Sequence, residues 1–320
     1  MNRLGYSDFS DVDQLGGLVG WDLHFRQINA GRFSGFVDIV GNTDLIVMRV
    51  SFSQRLHQVG QPIQGMKSFA WLETDCAPLL NWCSGAVDTA DIIDFNDPGG
   101  FDGVSDAGHK AYTFSLSDSL LGKRALELGI DYAECFGESH NGLLLNVDPA
   151  LLGGIKSAVE RAFTVADSPD PALRVLLGEE IQASLVDTVL VLTADRCSVS
   201  NPIKLSARQR LCRKAVQLVN DRIKEPLSVA DLCRESGTSV ATLERAFKEA
   251  FGITPKRYID CSRMNAVRKA IVEGHADTIT STASSYGYWH MGKFAMDYKR
   301  FTGALPSAEF GLRKASRHAV

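Results

Sequence analysis

Leu243-Glu244-Arg245-Ala246-Phe247-Lys248-Glu249-Ala250-Phe251-Gly252-Ile253-Thr254-Pro255 is answered further along the chain by Phe294-Ala295-Met296-Asp297-Tyr298-Lys299-Arg300-Phe301-Thr302-Gly303-Ala304-Leu305-Pro306. Leu243, Phe247, Gly252 and Pro255 return as Phe294, Tyr298, Gly303 and Pro306, each 51 residues on, and Cys233 and Gly237 return as Ala283 and Gly287 after 50. The second turn therefore carries one extra residue. In the first unit a short helix over 229–236 is predicted, with Ser228 as cap and Asp231 three residues on, stopping at Gly237. A second helix then starts from Ser239 and keeps Leu243, Ala246, Phe247 and Ala250 on its inner face. Helix, glycine-containing turn and second helix make a helix-turn-helix pattern. A single copy is a weak signal; the same landmarks twice over are not an accident of composition. A long helix from Lys256 to about Glu273 joins the units, and Leu211, Ala215, Val216, Val219 and Ile223 form an amphipathic helix ahead of them.

Outward from this stretch, the charge of the chain changes sign. Residues 204–320 hold 21 Lys and Arg against 11 Asp and Glu, whereas residues 1–203 hold 13 against 27. A basic third on an acidic protein fits a domain that binds a polyanion, nucleic acid above all. An ordinary solvated surface, or attraction between the two parts of the chain, would give the same balance. The 320 residues suggest two domains at a prior of roughly 150 residues each. A hydrophobic share of 45% and a charged share of 22% exclude a disordered, collagen-like or disulfide-scaffold chain. No apolar run approaches the ~18–20 residues of a membrane span. The first residues lack a secretory pattern, so a soluble, cytoplasmic protein without a membrane partner is expected.

Upstream, residues 1–140 read as short strands. Arg32–Val40 and Leu45–Phe52 flank Gly41-Asn42-Thr43-Asp44, a hairpin signal, and further strands are expected at 68–72, 91–95 and 111–116. This spacing suggests a small antiparallel barrel or sandwich. A helix over 117–128 should stop at Gly129, and Asp148 should cap another running to about Val165. After the break at Ser168-Pro169-Asp170-Pro171, Leu173, Leu177, Ile181, Leu185, Val189 and Leu192 form a stripe of helical period. Packing against the strand-rich region and pairing with a second copy are both open for that stripe. Residues 194–205 lack helical period and read as a linker.

The seven cysteines are odd in number and contain no CxxC, so reduced thiols are expected, with Cys212 and Cys233 as small core residues and a Cys76–Cys83 redox pair disfavoured. The histidines show neither HxH nor HExxH, and no phosphate loop, nucleophile elbow or dinucleotide fingerprint is present. No catalytic residue, metal or cofactor is expected.

At the repeated motifs the chain resembles the DNA-binding domain of the AraC/XylS family of bacterial transcription regulators. The resemblance covers about 206–313 and includes the joining helix with Arg263 and Arg268. Gly287-Tyr288-Trp289-His290-Met291-Gly292-Lys293-Phe294 looks closest to the branch that includes ethanolamine-operon regulators. The resemblance implies that the second helix of each unit enters the major groove, in adjacent turns ~34 Å apart on one face of double-stranded promoter DNA. With Leu243 and Phe247 inward, Ala241, Thr242, Glu244, Arg245 and Lys248 point outward beyond the cap Ser239. Arg245 is the best base reader, through guanine O6 and N7, and Glu244 could accept from cytosine N4 or remain a solvated charge. In the second unit the same geometry offers Met291, Gly292, Lys293, Ala295 and Met296, with His290 at the cap position and Lys299 and Arg300 for phosphates. Few of these groups hydrogen-bond a base, so the first unit should carry most of the specificity.

The fold class expected is an α+β two-domain chain: a strand-rich, cupin-like barrel with helices, and an all-α domain with two helix-turn-helix motifs joined by a long helix. Residues 1–165 form the cupin-like sensory domain, 166–205 a helical dimerisation segment and linker, and 206–313 the DNA-binding domain, with motifs at about 228–251 and 279–302. His57, Trp71 and Trp82 could line a pocket for a small-molecule effector or could be core. The function expected is a ligand-responsive activator that also meets RNA polymerase and can form a homodimer. A cupin-type enzyme fused to a DNA-binding module and a constitutive DNA binder are the rival readings.

Overall fold

A computed structural model describes residues 1–17, 20–73, 79–82, 85–87, 89–96, 100–136, 143–144, 147–197, 206–273 and 278–317. The strands are β1 (Asn2–Phe9), β2 (Asp22–Gln27), β3 (Gly35–Gly41), β4 (Leu45–Phe52), β5 (Leu56–Gln61), β6 (Met66–Leu72), β7 (Leu79–Trp82), β8 (Gly85–Val87), β9 (Ile92–Asp94), β10 (Phe101–Ser105), β11 (His109–Ser117) and β12 (Leu143–Leu144). A 3-10 turn, Val12–Gly17, lies between β1 and β2. The helices that follow are α1 (Asp118–Leu128), α2 (Tyr132–Phe136), α3 (Pro149–Ala166), α4 (Pro171–Cys197), α5 (Ala207–Asp221), α6 (Val229–Ser236), α7 (Val240–Phe251), α8 (Pro255–Glu273), α9 (Ile279–Ser285), α10 (Met291–Thr302) and α11 (Pro306–Arg317).

The strands form two antiparallel sheets, one in the order β1-β3-β4-β11-β6-β9-β12 and one in the order β2-β5-β10-β7-β8. Both orders are open, so the expected barrel is not a closed one among the described residues. The central strands of the larger sheet are buried on both faces, whereas the edge strand β1 is largely exposed. On β4, Leu45 and Val47 face a helical layer made by α1, α3 and α4, while Ile46, Met48 and Phe52 face the smaller sheet. Alternate side chains leave a strand on opposite sides, and a strand covered on both sides reads as a continuous apolar run. That is why Leu45-Ile46-Val47-Met48 shows no polar alternation. The preceding hairpin turns on Asn42, whose side-chain oxygen accepts the N–H groups of Asp44 at 2.9 Å and Leu45 at 2.8 Å. A Cβ at Gly41 would lie 2.2 Å from the Leu45 carbonyl oxygen, so the backbones approach too closely for any other residue.

Helix ends follow local chemistry. Ser117 caps α1, Gly129 ends it at φ 68°, and Asp148 accepts from the N–H groups of Ala150 and Leu151 at the start of α3. Helix α4 continues to Cys197, through the first residues expected as linker; 198–205 lie outside the described residues. Its apolar stripe packs inward: Ile181, Leu185 and Val189 are fully buried with α3 and the larger sheet. The large apolar residues of α4 left exposed are Leu173, Val175, Leu176 and Val191. From Leu177 onward the stripe is core, because the larger sheet presents an apolar face that α4 has to cover; Leu173 is left outside. Leu185→Ala should therefore cost about 2–5 kcal/mol of folding stability. Urea unfolding at low protein concentration should show this loss, whereas Leu176→Ala should there stay within about 0.5 kcal/mol of the parent.

Candidate nucleic-acid interface

The sequence repeat has a conformational meaning. Leu243 and Phe294 are buried at matching places on α7 and α10, and Phe247 and Tyr298 are fully buried one turn later. Gly252 and Gly303 end these helices in the left-handed region, at φ 69° and 84°. Pro255 and Pro306 then open α8 and α11, where the fixed φ of proline suits the first helical position. Gly237 and Gly287 take φ 66° and 85° in the two turns. Each unit is thus one apolar helix pair closed by the same stop and restart, and each has its own core.

Helix α7 buries Leu243, Ala246, Phe247, Ala250 and Phe251, which leaves Ala241, Thr242, Glu244, Arg245 and Lys248 exposed. Ser239 caps it by accepting from the Thr242 N–H at 3.2 Å. The α6 cap is a full capping box between Ser228 and Asp231, and the Ser228 donors with Arg234 hold the Asp231 carboxyl down at about 2. Glu249 pairs with Arg208 of α5 at 2.7 Å. Glu244, Arg245 and Lys248 have no charged partner among the described residues, so the Arg245 fork is free to meet an external acceptor. Cys212 and Cys233 are buried in this unit's core, and burial pushes the Cys212 thiol up to about 12. The Cys76 and Cys83 pair falls outside the described residues.

On α10, Gly292, Lys293, Met296, Lys299 and Arg300 are exposed and Ala295 is half-buried. Met291 is half-buried, packing in part on the core of the second unit beside Phe294. His290 sits at the cap position but makes no capping hydrogen bond, and no neighbour fills the space beside Gly292. Arg300 pairs with Asp297 at 2.8 Å. The outward faces of α7 and α10 are thus both uncovered by the rest of the chain, and that of α7 has the richer hydrogen-bonding set.

A family model described as a helix-turn-helix domain matches residues 232–310. The chain is 29% identical over 173 residues to the probable thc operon regulatory protein of Rhodococcus erythropolis, across 52% of each protein. It is 31% identical over 103 residues to XylDLEGF operon transcriptional activator 3 of Pseudomonas putida, across 32% of this chain and 31% of that one. The helix-turn-helix region is of the AraC/XylS type. The chain spans about half the length of the first of these relatives and about a third of the second. An AraC-type transcriptional regulator from Chromobacterium violaceum, of known structure, is 28% identical, covering 33% of this chain and 93% of that one, with a TM-score of 0.31.

In this AraC/XylS-type region the two arginines of the joining helix hold structure together. Arg263 donates to the carbonyl of Glu225 at 2.6 Å, fixing α8 to the turn before α6. Arg268 meets Asp11 from the 3-10 turn region and Glu309 of α11, the latter at 3.4 Å, and Glu309 also accepts from the Tyr298 hydroxyl. Burial opposes the Arg268 charge, but Asp11 and Glu309 hold the guanidinium above its usual value.

Of the candidate pocket residues, Trp71 and His57 lie on different sheets and are not brought together. Trp71 is buried on the helix-facing side of the larger sheet, stacked 5.2 Å from Tyr112. Trp82 lies on β7, and its side chain is outside the described set. His57 is buried on the smaller sheet, where the domains meet. Its Nδ1 is 2.9 Å from the Tyr258 hydroxyl of α8 and its Nε2 is 2.9 Å from Asp102. Arg26 donates to the same hydroxyl at 2.7 Å. Burial raises the Tyr258 hydroxyl to about 12; burial would raise Asp102 as well, but His57 and Arg213 hold its carboxyl below the usual range. Sequence reasoning missed this group, because its members lie 201 and 232 residues from Tyr258 and share no motif.

Two outcomes follow. Tyr258→Phe leaves Arg26 and His57 short of a partner and should cost about 1–3 kcal/mol in urea unfolding. Asp13 is raised to about 6 by burial, with Asp11 beside it. The fold therefore holds this proton more tightly than the unfolded chain, and the stability it contributes is full below about pH 4 and lost as pH rises through about 6. The stability difference between the parent and Asp13→Asn should change by on the order of 1–3 kcal/mol between pH 4 and pH 7, with the variant gaining at the higher pH.

Proposed function

We propose that this chain is a sequence-specific, DNA-binding transcription regulator that activates a nearby operon in response to a small ligand. The observation that carries the reading is the pair of repeated units whose second helices keep their outward faces uncovered. The basic balance of residues 204–320 supports it. So do the names of the relatives, an operon regulatory protein and an operon transcriptional activator.

In this reading α7 and α10 enter successive major grooves on one face of promoter DNA. Arg245 contributes direct base readout and Lys248 flanks it, with Ser239, Ala241, Thr242 and Glu244 nearest the groove floor. Lys293, Lys299 and Arg300 anchor phosphates, and Met296 offers an apolar contact to thymine methyls. His290 and Gly292 let the start of α10 approach the backbone closely. The strand-rich region, similar in kind to a cupin-like sensory domain, receives the effector. Exposed residues of α4 serve pairing with a second copy, and RNA polymerase is the partner at the promoter. The protein works in the cytoplasm.

Genomic fragments pulled down by the purified protein and sequenced should be enriched in a few promoter sites with motifs about one helical turn apart. Arg245→Ala should lose or relax them, at a cost of about 1–3 kcal/mol for the base it reads. Lys299→Ala should weaken all sequences alike and reduce the salt slope by about one. Uniform recovery of all fragments, unchanged by Arg245→Ala, would reduce the protein to a nonspecific binder.

A further inference from the structure

A cleft of about 550 Å³ opens between α8 and α10, with the 287–290 turn along one side and Ala30 of the N-terminal region at its rim. Its volume falls in the roughly 300–1,000 Å³ range of small-molecule sites. Two features set it apart from an ordinary groove between helices. The first is the lining: Met264, Phe294 and Phe301 supply a buried apolar floor, while Tyr288 and Trp289 stand at the side, Trp289 being 75% exposed. An indole so exposed contributes little to holding the turn and offers its faces to a ring. The second is the charge. Asp260 is matched by Lys256 at 3.7 Å and Asp297 by Arg300 at 2.8 Å. That leaves Arg257 and Lys293, which also line the cleft, without an acidic partner among the described residues. The Tyr288 hydroxyl has no hydrogen-bond partner there either, and burial holds it in its neutral form, able to donate.

We propose that this cleft binds a flat aromatic ring carrying an anionic group, a carboxylate or a phosphate. The ring lies against Trp289 and Tyr288 over the apolar floor, and the anion is held by Arg257 and Lys293. A DNA phosphate alone would use the cations but would leave the apolar floor empty, so a small ligand accounts for more of the surface. Bound there, the ligand touches the joining helix and the second recognition helix at once. It also reaches the rim where the N-terminal region holds both, through Gln27 on Asn265 and Gly31 on Phe301. The site is separate from that of the effector assigned above to the strand-rich region; it shares Lys293 with the phosphate contacts of the proposed reading, so it is tested in the absence of DNA.

Full-length protein, free of DNA, is titrated with 1-naphthoate and with guanosine 5′-monophosphate as the two probes, followed by calorimetry and saturation-transfer NMR. Naphthalene-1-carboxamide serves as the neutral isostere. At least one acid should bind saturably, and whichever binds tells a carboxylate source from a nucleotide source. Arg257→Gln should weaken it about tenfold, in line with one charge-assisted hydrogen bond lost. Trp289→Ala should weaken it by a similar factor, both variants keeping the parent circular dichroism melt. Because Trp289 is a surface residue, its variant still reports if Arg257→Gln fails to fold. The proposal is overturned if neither acid binds, if the carboxamide binds as tightly as the acid, or if the folded variants bind like the parent.

Discussion

The hydroxyl of Tyr258 is buried where the two halves of the chain meet, and a buried hydroxyl has to be hydrogen-bonded or it costs the fold its full desolvation. Arg26 and His57, paired across β2 and β5, supply those bonds. Its ring belongs as much to the first helix-turn-helix unit, packing 4.8 Å from Phe251 and 5.5 Å from Phe247. One side chain thus serves as core for the helical unit and as anchor for the sheet. The rest of the junction is arranged around it: Asp102 on the far side of His57, Asn220 on Arg26, and Ile28 and Val104 buried in the helical core.

That arrangement makes the joining helix the common support of the molecule. Along α8, Tyr258 faces the smaller sheet, Cys261 approaches the Ile28 carbonyl, and Asn265 exchanges hydrogen bonds with the Gln27 backbone. Further along, Arg268 ties the 3-10 turn region to α11. The Gly31 N–H and the Gln27 side chain both donate to the Phe301 carbonyl at the end of α10. The strand-rich region therefore holds the helix between the two units and the end of the second unit at once. A shift at β2 has a direct mechanical route to the relative placement of α7 and α10, which in the proposed reading sets how the two helices meet adjacent grooves.

The two units share a framework but not a surface. Unit one closes its turn with Gly237-Thr238-Ser239 and a working cap; unit two inserts a residue, exposes Trp289 and leaves His290 without a capping bond. Glycine at 292 weakens the helix start by about 1 kcal/mol relative to alanine. Stability is given up in unit two at the place where the cleft beside α8 opens, whereas the framework residues Tyr298, Phe294 and Gly303 keep their packing. The second unit is held from behind, by Glu309 on Tyr298 and Arg268 on Glu309, rather than by its own turn.

Local rules made much of this legible from the residues alone. Left-handed glycines at 237, 252, 287 and 303, prolines at 255 and 306, caps at Ser117, Asp148, Ser228 and Ser239, and the 41–44 hairpin are short-range devices, and each is where its chemistry puts it. The repeat added the family resemblance, because two copies of one packing solution leave the same marks in the sequence. What the residues could not disclose is which surface each apolar or polar side chain meets. The stripe on α4 suited a partner chain or its own core equally well, and the larger sheet decided for the core. His57 and Trp71 suited a pocket, but their surroundings come from segments far away in sequence. Periodicity and capping are set within a few residues and so are determined by the sequence itself; the closing of two sheets on a helical layer, and the seating of α8 on β2 and β5, depend on the surfaces that only the folded chain brings together.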